Sequence, residues 1–183
     1  MHTLLIQDLS HRFSLKQGIQ FELLTVTLGA CLLAALSKIS FLLPGNPVPV
    51  TFQTLGVLLL GASLGPKRGL SSVLVYLAAG FMGVPVFASG LLLGPSLGYL
   101  IGFLPATYLV GTFAQGGMGF LRSLPIYLLG LSVIFAMGTL WLSYFVGFEQ
   151  AFTLGVLPFL PGEAIKLGFL STLLPGARKL LGS

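Results

Sequence analysis

Two oppositely charged residues near the C-terminal end of the chain are the strongest candidates for chemistry. Glu163 and Lys166 follow Pro161 in an otherwise apolar segment. Pro161 can open a helix, because the first helical position needs no N–H. Residues three apart then share a helix face, and the unpaired N–H groups nearby favour an anion. Either Lys166 binds a ligand carboxylate while Glu163 accepts ligand N–H donors, or the two side chains only neutralise each other; the pair alone leaves both interpretations open.

A lysine inside a membrane segment is a functional candidate on energetic grounds. Insertion of an ionisable side chain costs about 2.5–3.5 kcal/mol on insertion scales. Lys38 lies late in its apolar run, where a long side chain can reach the membrane surface, so we predict a surface position for it and a site position for Lys166. Helix packing or an interfacial belt explains each of the other polar candidates singly. These further candidates are Gln53, Tyr76, Ser89 and Tyr99.

The motifs of common enzyme classes are missing or misplaced. Residues 61–65 match the G-x-S-x-G pattern around Ser63, but they end an apolar helix instead of following a strand. The two histidines, His2 and His11, belong to the N-terminal tail, which argues against a Ser-His-acid arrangement. The sequence has no zinc-type cluster and no G-x-x-x-x-G-K-[ST] phosphate loop. We therefore predict a protein that is not an enzyme and needs no cofactor.

The composition predicts an integral membrane protein. Of 183 residues, 55% are hydrophobic and 7% are charged, whereas soluble domains carry about 25% charged residues. Residues 1–183 are expected to form one membrane domain, with residues 1–20 as a cytoplasmic segment that lacks the features of a secretory signal. The net charge of +5 does not indicate nucleic-acid binding, because the basic residues are dispersed between apolar runs. The single cysteine, Cys31, lies inside one of those runs.

The apolar segments predict an all-α bundle of six transmembrane helices in the cell membrane. The segments cover residues 22–43, 50–64, 70–83, 98–115, 124–146 and 162–174, and residues 65–69 are predicted to form a tight turn. If six helices alternate, seven basic residues fall on one side and the opposite loops have none, which places both termini in the cytoplasm. These residues are Arg12, Lys16, Lys67, Arg68, Arg122, Arg178 and Lys179.

The outer loops of this bundle are apolar and rich in proline. Irregular backbone at membrane depth must be buried or line a cavity, since lipid offers no hydrogen bonds. These loops are therefore expected to fold over the bundle, either as a cap over a site or as ordinary packing. Their prolines are Pro44, Pro47, Pro49, Pro85, Pro95, Pro158 and Pro161.

Small residues recur every four positions on two helices, a spacing that lets helices approach closely. On the fourth helix, Gly98, Gly102 and Ala106 are predicted to face neighbours within the bundle. On the first helix, Ala30 and Ala34 are equally suited to contact another membrane protein.

Five motifs, in order across most of the chain, resemble the signature of the bacterial biotin-uptake (BioY-type) family. They are VPVTFQTLG at 48–56, LGPKRG at 64–69, GVPVFA at 83–88, LGPSLGYLIGF at 93–103 and PGEAIK at 161–166.

The resemblance implies the S component of an energy-coupling factor (ECF) transporter, which binds biotin at the outer face of the membrane. A membrane coupling subunit and two ATPase subunits would drive uptake. Lys166 would hold the biotin carboxylate, and Glu163 would contact the ureido ring. Gln53, Tyr76 and Ser89 would line the pocket. Ala30 and Ala34 correspond to the small-residue face that such components offer to the coupling subunit.

The sequence departs from the family pattern in three places. Glu163 stands where Asp is usual, Leu91 where a longer glycine-rich loop is often found, and Leu97 where a second glycine is common. Two other functions stay open: an S component for a different small vitamin, and a structural membrane protein in which the Glu163–Lys166 pair locks the last helix.

Overall fold

The computed structural model describes residues 18–88, 94–114 and 120–180, which are mostly helical. The predicted cytoplasmic segment, apart from its last residues, lies outside the described residues. The helices are α1 (Ile19–Lys38), α2 (Gln53–Phe81), α3 (Leu97–Phe113), α4 (Phe120–Val146), α5 (Phe148–Gly155) and α6 (Leu160–Leu180). Two-residue strands β1 (Ser40–Phe41) and β2 (Val50–Thr51) connect α1 to α2, and a 3-10 turn (Leu157–Phe159) connects α5 to α6.

Helix α2 contains the second and third predicted segments as two arms. Only Gly65 leaves the helical conformation, with φ 81° and ψ −179°. Pro66 can start the second arm, because the first position of a helix needs no backbone N–H donor. The chain reverses direction here, as predicted, because Gln53 of the first arm contacts Tyr76 of the second. The turn is shorter than the predicted residues 65–69, since Gly65 alone is non-helical and the second arm begins at Pro66.

The first helix ends earlier than predicted. Helix α1 stops at Lys38 instead of near residue 43, because Ser40 and Phe41 pair antiparallel with Thr51 and Val50. Gly45, at φ 75°, lies in the turn region between these strands. We call residues 42–49 the capping loop. This loop joins the two strands and contains three of the prolines, Pro44, Pro47 and Pro49.

Helix α3 lies between α2 and α4, and α1 packs on α2. The small residues of α3 face inward, as predicted. A side chain at Gly98 would meet Trp141 and the Met137 carbonyl, and one at Gly102 would meet the backbone of Ile134. Ala106 is fully buried. The close approach of α3 and α4 forms one wall of the cavity described below.

By length and composition, three helical stretches of the described chain can cross a membrane. They are Gln20–Lys38, Leu121–Val146, and Phe148–Thr172, which runs through α5 and into α6. Leu97–Phe113 is apolar but shorter. These stretches leave large apolar side chains exposed, among them Leu24, Leu140 and Phe169, which suits contact with lipid. The structure is that of a helical membrane protein.

The backbone geometry at Gly65 predicts that replacing this glycine lowers the stability of the protein. Gly65 occupies a backbone region that is nearly restricted to glycine, where other residues cost about 1–3 kcal/mol. Gly65→Ala should lower the free energy of unfolding by that amount, measured as a lower Tm in detergent. Gly168→Ala is the control, because a Cβ at Gly168 meets no atom within 4 Å. Equal Tm values for the two variants would contradict the strained geometry.

Candidate functional site

An open cavity lies between the capping loop, the first turns of α2, α3 and α6, and the middle of α4. It holds about 520 Å³ of empty space, counting its open mouth. Most of its wall is apolar or aromatic, and its polar groups are few, which is typical of sites for small organic molecules. The lining residues are Val48, Pro49, Thr51, Gln53, Thr54, Phe87, Ala88, Ser96, Tyr99, Leu100, Phe103, Phe135, Phe159 and Glu163.

Glu163 and Lys166 form a buried ion pair beside this cavity. Their side chains are only 3% and 6% exposed, and Lys166 Nζ lies 2.6 Å from Glu163 Oε1. Pro161 lies in the first turn of α6, as predicted, and the i,i+3 spacing puts both side chains on one face. The hydroxyl of Thr54 lies 2.8 and 2.9 Å from the two oxygens of Glu163. Desolvation of both charges is therefore offset by direct pairing and hydrogen bonds.

The ammonium group of Lys166 joins three parts of the chain. Its Nζ donates to the Thr51 carbonyl at 2.7 Å, to Thr54 Oγ1 at 3.1 Å and to Glu163. It also lies 5.4 Å from the ring centroid of Phe52. An ammonium has three N–H donors, and these three contacts use all of them. Of the ion pair, only Glu163 lines the cavity, and Lys166 lies behind it.

Gln53 and Tyr76 are in contact, but only Gln53 reaches the cavity. Gln53 Nε2 and the Tyr76 hydroxyl are 2.5 Å apart, and Tyr76 is 1% exposed. The Tyr76 hydroxyl also donates to the Val86 carbonyl at 3.3 Å. Tyr76 therefore supports the wall from behind, whereas the sequence predicted that it lines the pocket.

Three aromatic rings form an apolar side of the cavity. The ring of Tyr99 stacks on Phe159 at 6.3 Å between centroids and meets Phe135 edge-on at 6.2 Å. Phe135 and Phe159 are 6.0 Å apart. Tyr99 is held in place by its hydroxyl, which donates to the Gly155 carbonyl at 2.8 Å. Such a group of rings suits the flat, apolar body of a ligand.

The structure thus brings together three of the predicted site residues, Glu163, Gln53 and Tyr99, around one cavity. Ser89 lies outside the described residues. Sequence reasoning missed Thr54, Phe135 and Phe159. Thr54 belongs to a motif quoted above, one position after Gln53, and that proximity was a usable signal. No signal marked the two phenylalanines, because an inward-facing Phe looks like core in an apolar helix.

The two alanines of α1 differ in exposure. Ala30 is 8% exposed and belongs to the hydrophobic core, and Ala34 is half-buried against that core. Part of this ridge therefore contacts the bundle itself. Its contact with another membrane protein stays a prediction.

Ser63, the serine of the G-x-S-x-G pattern, forms a hydrogen bond within its own helix. The hydroxyl of Ser63 is bonded to the Leu59 carbonyl one turn earlier, at 2.5 Å. Within the described part of the chain, no three His, Cys, Asp or Glu residues cluster to hold a metal. Lys38 is exposed, as predicted, and donates to the Phe87 carbonyl at 3.1 Å.

Fold and site together define a helical membrane protein with a cavity for a small organic solute. The chain belongs to the BioY family, whose sequence profile matches residues 10–183. It is 45% identical over 126 residues to the probable biotin transporter BioY of Pyrococcus horikoshii. The aligned residues cover 66% of this chain and 75% of the relative. The biotin transporter BioY of Rhodobacter capsulatus is 34% identical over 165 residues, 78% of this chain and 85% of the relative.

A solved structure supports the same assignment of the fold. It is described as the S-component for biotin from an ECF-type ABC transporter. The TM-score is 0.77 at 27% sequence identity, and the match covers 87% of this chain and 91% of the other. The architecture of this chain is therefore that of an S component.

The buried pair predicts a specific pattern of stability. Lys166→Met leaves the Glu163 carboxylate buried without a counter-charge, and breaking such a pair costs about 3–5 kcal/mol. The double variant Glu163→Gln/Lys166→Met removes both charges and should recover most of the lost Tm. Lys67→Met, at an exposed lysine, is the control and should leave Tm nearly unchanged. A single Lys166→Met variant as stable as the wild type would contradict this account.

Proposed function

We propose that the cavity binds biotin and that the chain mediates biotin uptake as the S component of an ECF-type transporter. The observation that carries the proposal is the Glu163 carboxylate, buried and held by two partners, at the wall of an aromatic cavity in a member of the BioY family. The relatives named as biotin transporters and the S-component fold support the same solute. Transport of a solute requires no catalytic group.

The ion pair serves one end of biotin in this proposal. The ureido ring and the carboxylate lie at opposite ends of the molecule, separated by the fused ring and an alkyl chain. Glu163 and Lys166 are in direct contact, so the pair lies at one end of the ligand. The cavity-facing group is the carboxylate of Glu163, which attracts N–H donors and repels another carboxylate. We therefore assign the pair to the ureido end, with Lys166 holding Glu163 in position.

The remaining walls match the other features of biotin. Gln53 and Thr54 add polar atoms near Glu163, and Phe135, Phe159 and Tyr99 add an apolar face for the fused ring. Ser89, which follows the cavity-lining residue Ala88 in the sequence, stays a proposed ligand contact. The biotin carboxylate then points towards the open mouth, where water and outer-loop groups solvate it.

The membrane arrangement is part of the same proposal. Six crossings with both termini in the cytoplasm use the two arms of α2 as separate spans and put the cavity at the outer face. A coupling subunit, contacted through the ridge of Ala30 and Ala34, and two ATPase subunits would supply the energy for uptake. A plasma-membrane location follows from this role.

Biotin binding is the direct test. Purified wild-type protein should bind biotin in a calorimetric titration and gain Tm in its presence, because a ligand that binds only the folded state stabilises it. Hydrogen bonds to charged groups contribute about 1.5–3 kcal/mol, so Glu163→Gln should weaken binding about 10- to 100-fold. The control is Glu149→Gln, at an exposed carboxylate on α5, which should bind like the wild type.

The outcome of this titration separates the three functions left open. Binding of a different vitamin in place of biotin would assign an S component of other specificity. No stabilisation by any vitamin, together with a lower Tm for Lys166→Ala, would favour a purely structural role for the ion pair.

The assignment of ligand ends has its own test. Biotin methyl ester lacks the carboxylate charge, and its affinity relative to biotin is measured for wild type and Lys166→Gln. If the pair binds the ureido end, the ratio of the two affinities is the same in both proteins. If Lys166 binds the carboxylate, as the family resemblance implied, the affinity of the ester relative to biotin is below one in the wild type and rises towards one in the variant. This second result would reverse the orientation that we propose.

A further inference from the structure

The capping loop is tied to the end of α5 by a single buried side chain. Asn46 is 5% exposed, and its Nδ2 donates to the Leu154 carbonyl at 2.7 Å. Its Oδ1 accepts from the Val48 N–H at 2.9 Å. A backbone N–H only donates and a carbonyl only accepts, so both ends of the amide are assigned without ambiguity.

The partner carbonyl belongs to a helix end that needs partners. The last carbonyls of a helix have no N–H partner within the helix. In α5, two of them accept from side chains of different cavity walls: Leu154 from Asn46 of the capping loop, and Gly155 from the Tyr99 hydroxyl of α3. Helix α5 therefore joins the loop wall of the cavity to its aromatic wall.

Asn46 is not among the cavity-lining residues, whereas its loop neighbours Val48 and Pro49 are. The loop therefore forms part of the cavity wall, although Asn46 itself does not. We propose that Asn46 is a positioning residue for solute retention: by tying the capping loop to the end of α5, it slows the release of solute that it does not touch. This inference rests on the proposed function, with biotin as the solute.

Two substitutions distinguish the contributions of the two hydrogen bonds that Asn46 forms. Asn46→Ala removes both. Asn46→Asp keeps an oxygen for the Val48 N–H but turns a carboxylate oxygen towards the Leu154 carbonyl, which repels it. The matched control is Gln150→Ala, which removes an exposed amide from α5, the helix that Asn46 contacts.

The measurement is the dissociation rate of labelled biotin from purified protein after dilution into excess unlabelled biotin. The loss of one hydrogen bond corresponds to about a fivefold change, so both Asn46 variants should release biotin at least about fivefold faster than wild type. Gln150→Ala should match the wild type. An Asp variant that releases biotin as slowly as wild type would show that only the turn within the loop matters, and the proposal would be overturned.

A second measurement does not depend on biotin. Amide hydrogen exchange over residues 45–51 in ligand-free protein should be faster in Asn46→Asp than in wild type and Gln150→Ala. Unchanged exchange would overturn the tie to α5, whatever the protein binds. Faster exchange in a protein that ignores biotin would instead refute the proposed solute and leave the tie intact.

Discussion

The burial of one ammonium group organises the site. Lys166 lies in an apolar bundle, where an unpaired charge is strongly unfavourable, so each of its N–H donors must find an acceptor. The acceptors come from β2, from the first turn of α2 and from α6 itself. Because these three elements must meet at one nitrogen, the start of α6 is fixed against the hairpin. The Glu163 carboxylate is thereby placed at the cavity wall.

A second constraint acts at the same end of the bundle, where helices stop and irregular backbone begins. Carbonyl groups there need donors, and lipid supplies none. Side chains from other elements fill this need. Ser37 donates to the Val86 carbonyl, and Lys38 to that of Phe87. Asn46 and Tyr99 do the same for the end of α5. The cavity walls are therefore held mainly by hydrogen bonds to backbone, while the faces towards the cavity stay largely apolar.

This arrangement of hydrogen bonds and apolar faces suits a binding protein that must also release its solute. The buried polar contacts of the cavity wall are few, and the Glu163–Lys166 pair is their charged part. The loops that close the cavity are held by a small number of separate hydrogen bonds, each of which can open at modest cost.

The sequence by itself determined the class of protein and the family. Low charge and apolar segments of membrane length indicated a membrane protein, and five ordered motifs indicated BioY. The Glu163–Lys166 pair was also predictable, because helical spacing fixes neighbours three residues apart. Tertiary structure decided which of the two faces the cavity, because that depends on Thr51 and Thr54, more than 100 residues away in the chain. The end of α1, the aromatic wall and the role of Asn46 likewise depended on partners elsewhere in the chain, which local periodicity does not encode.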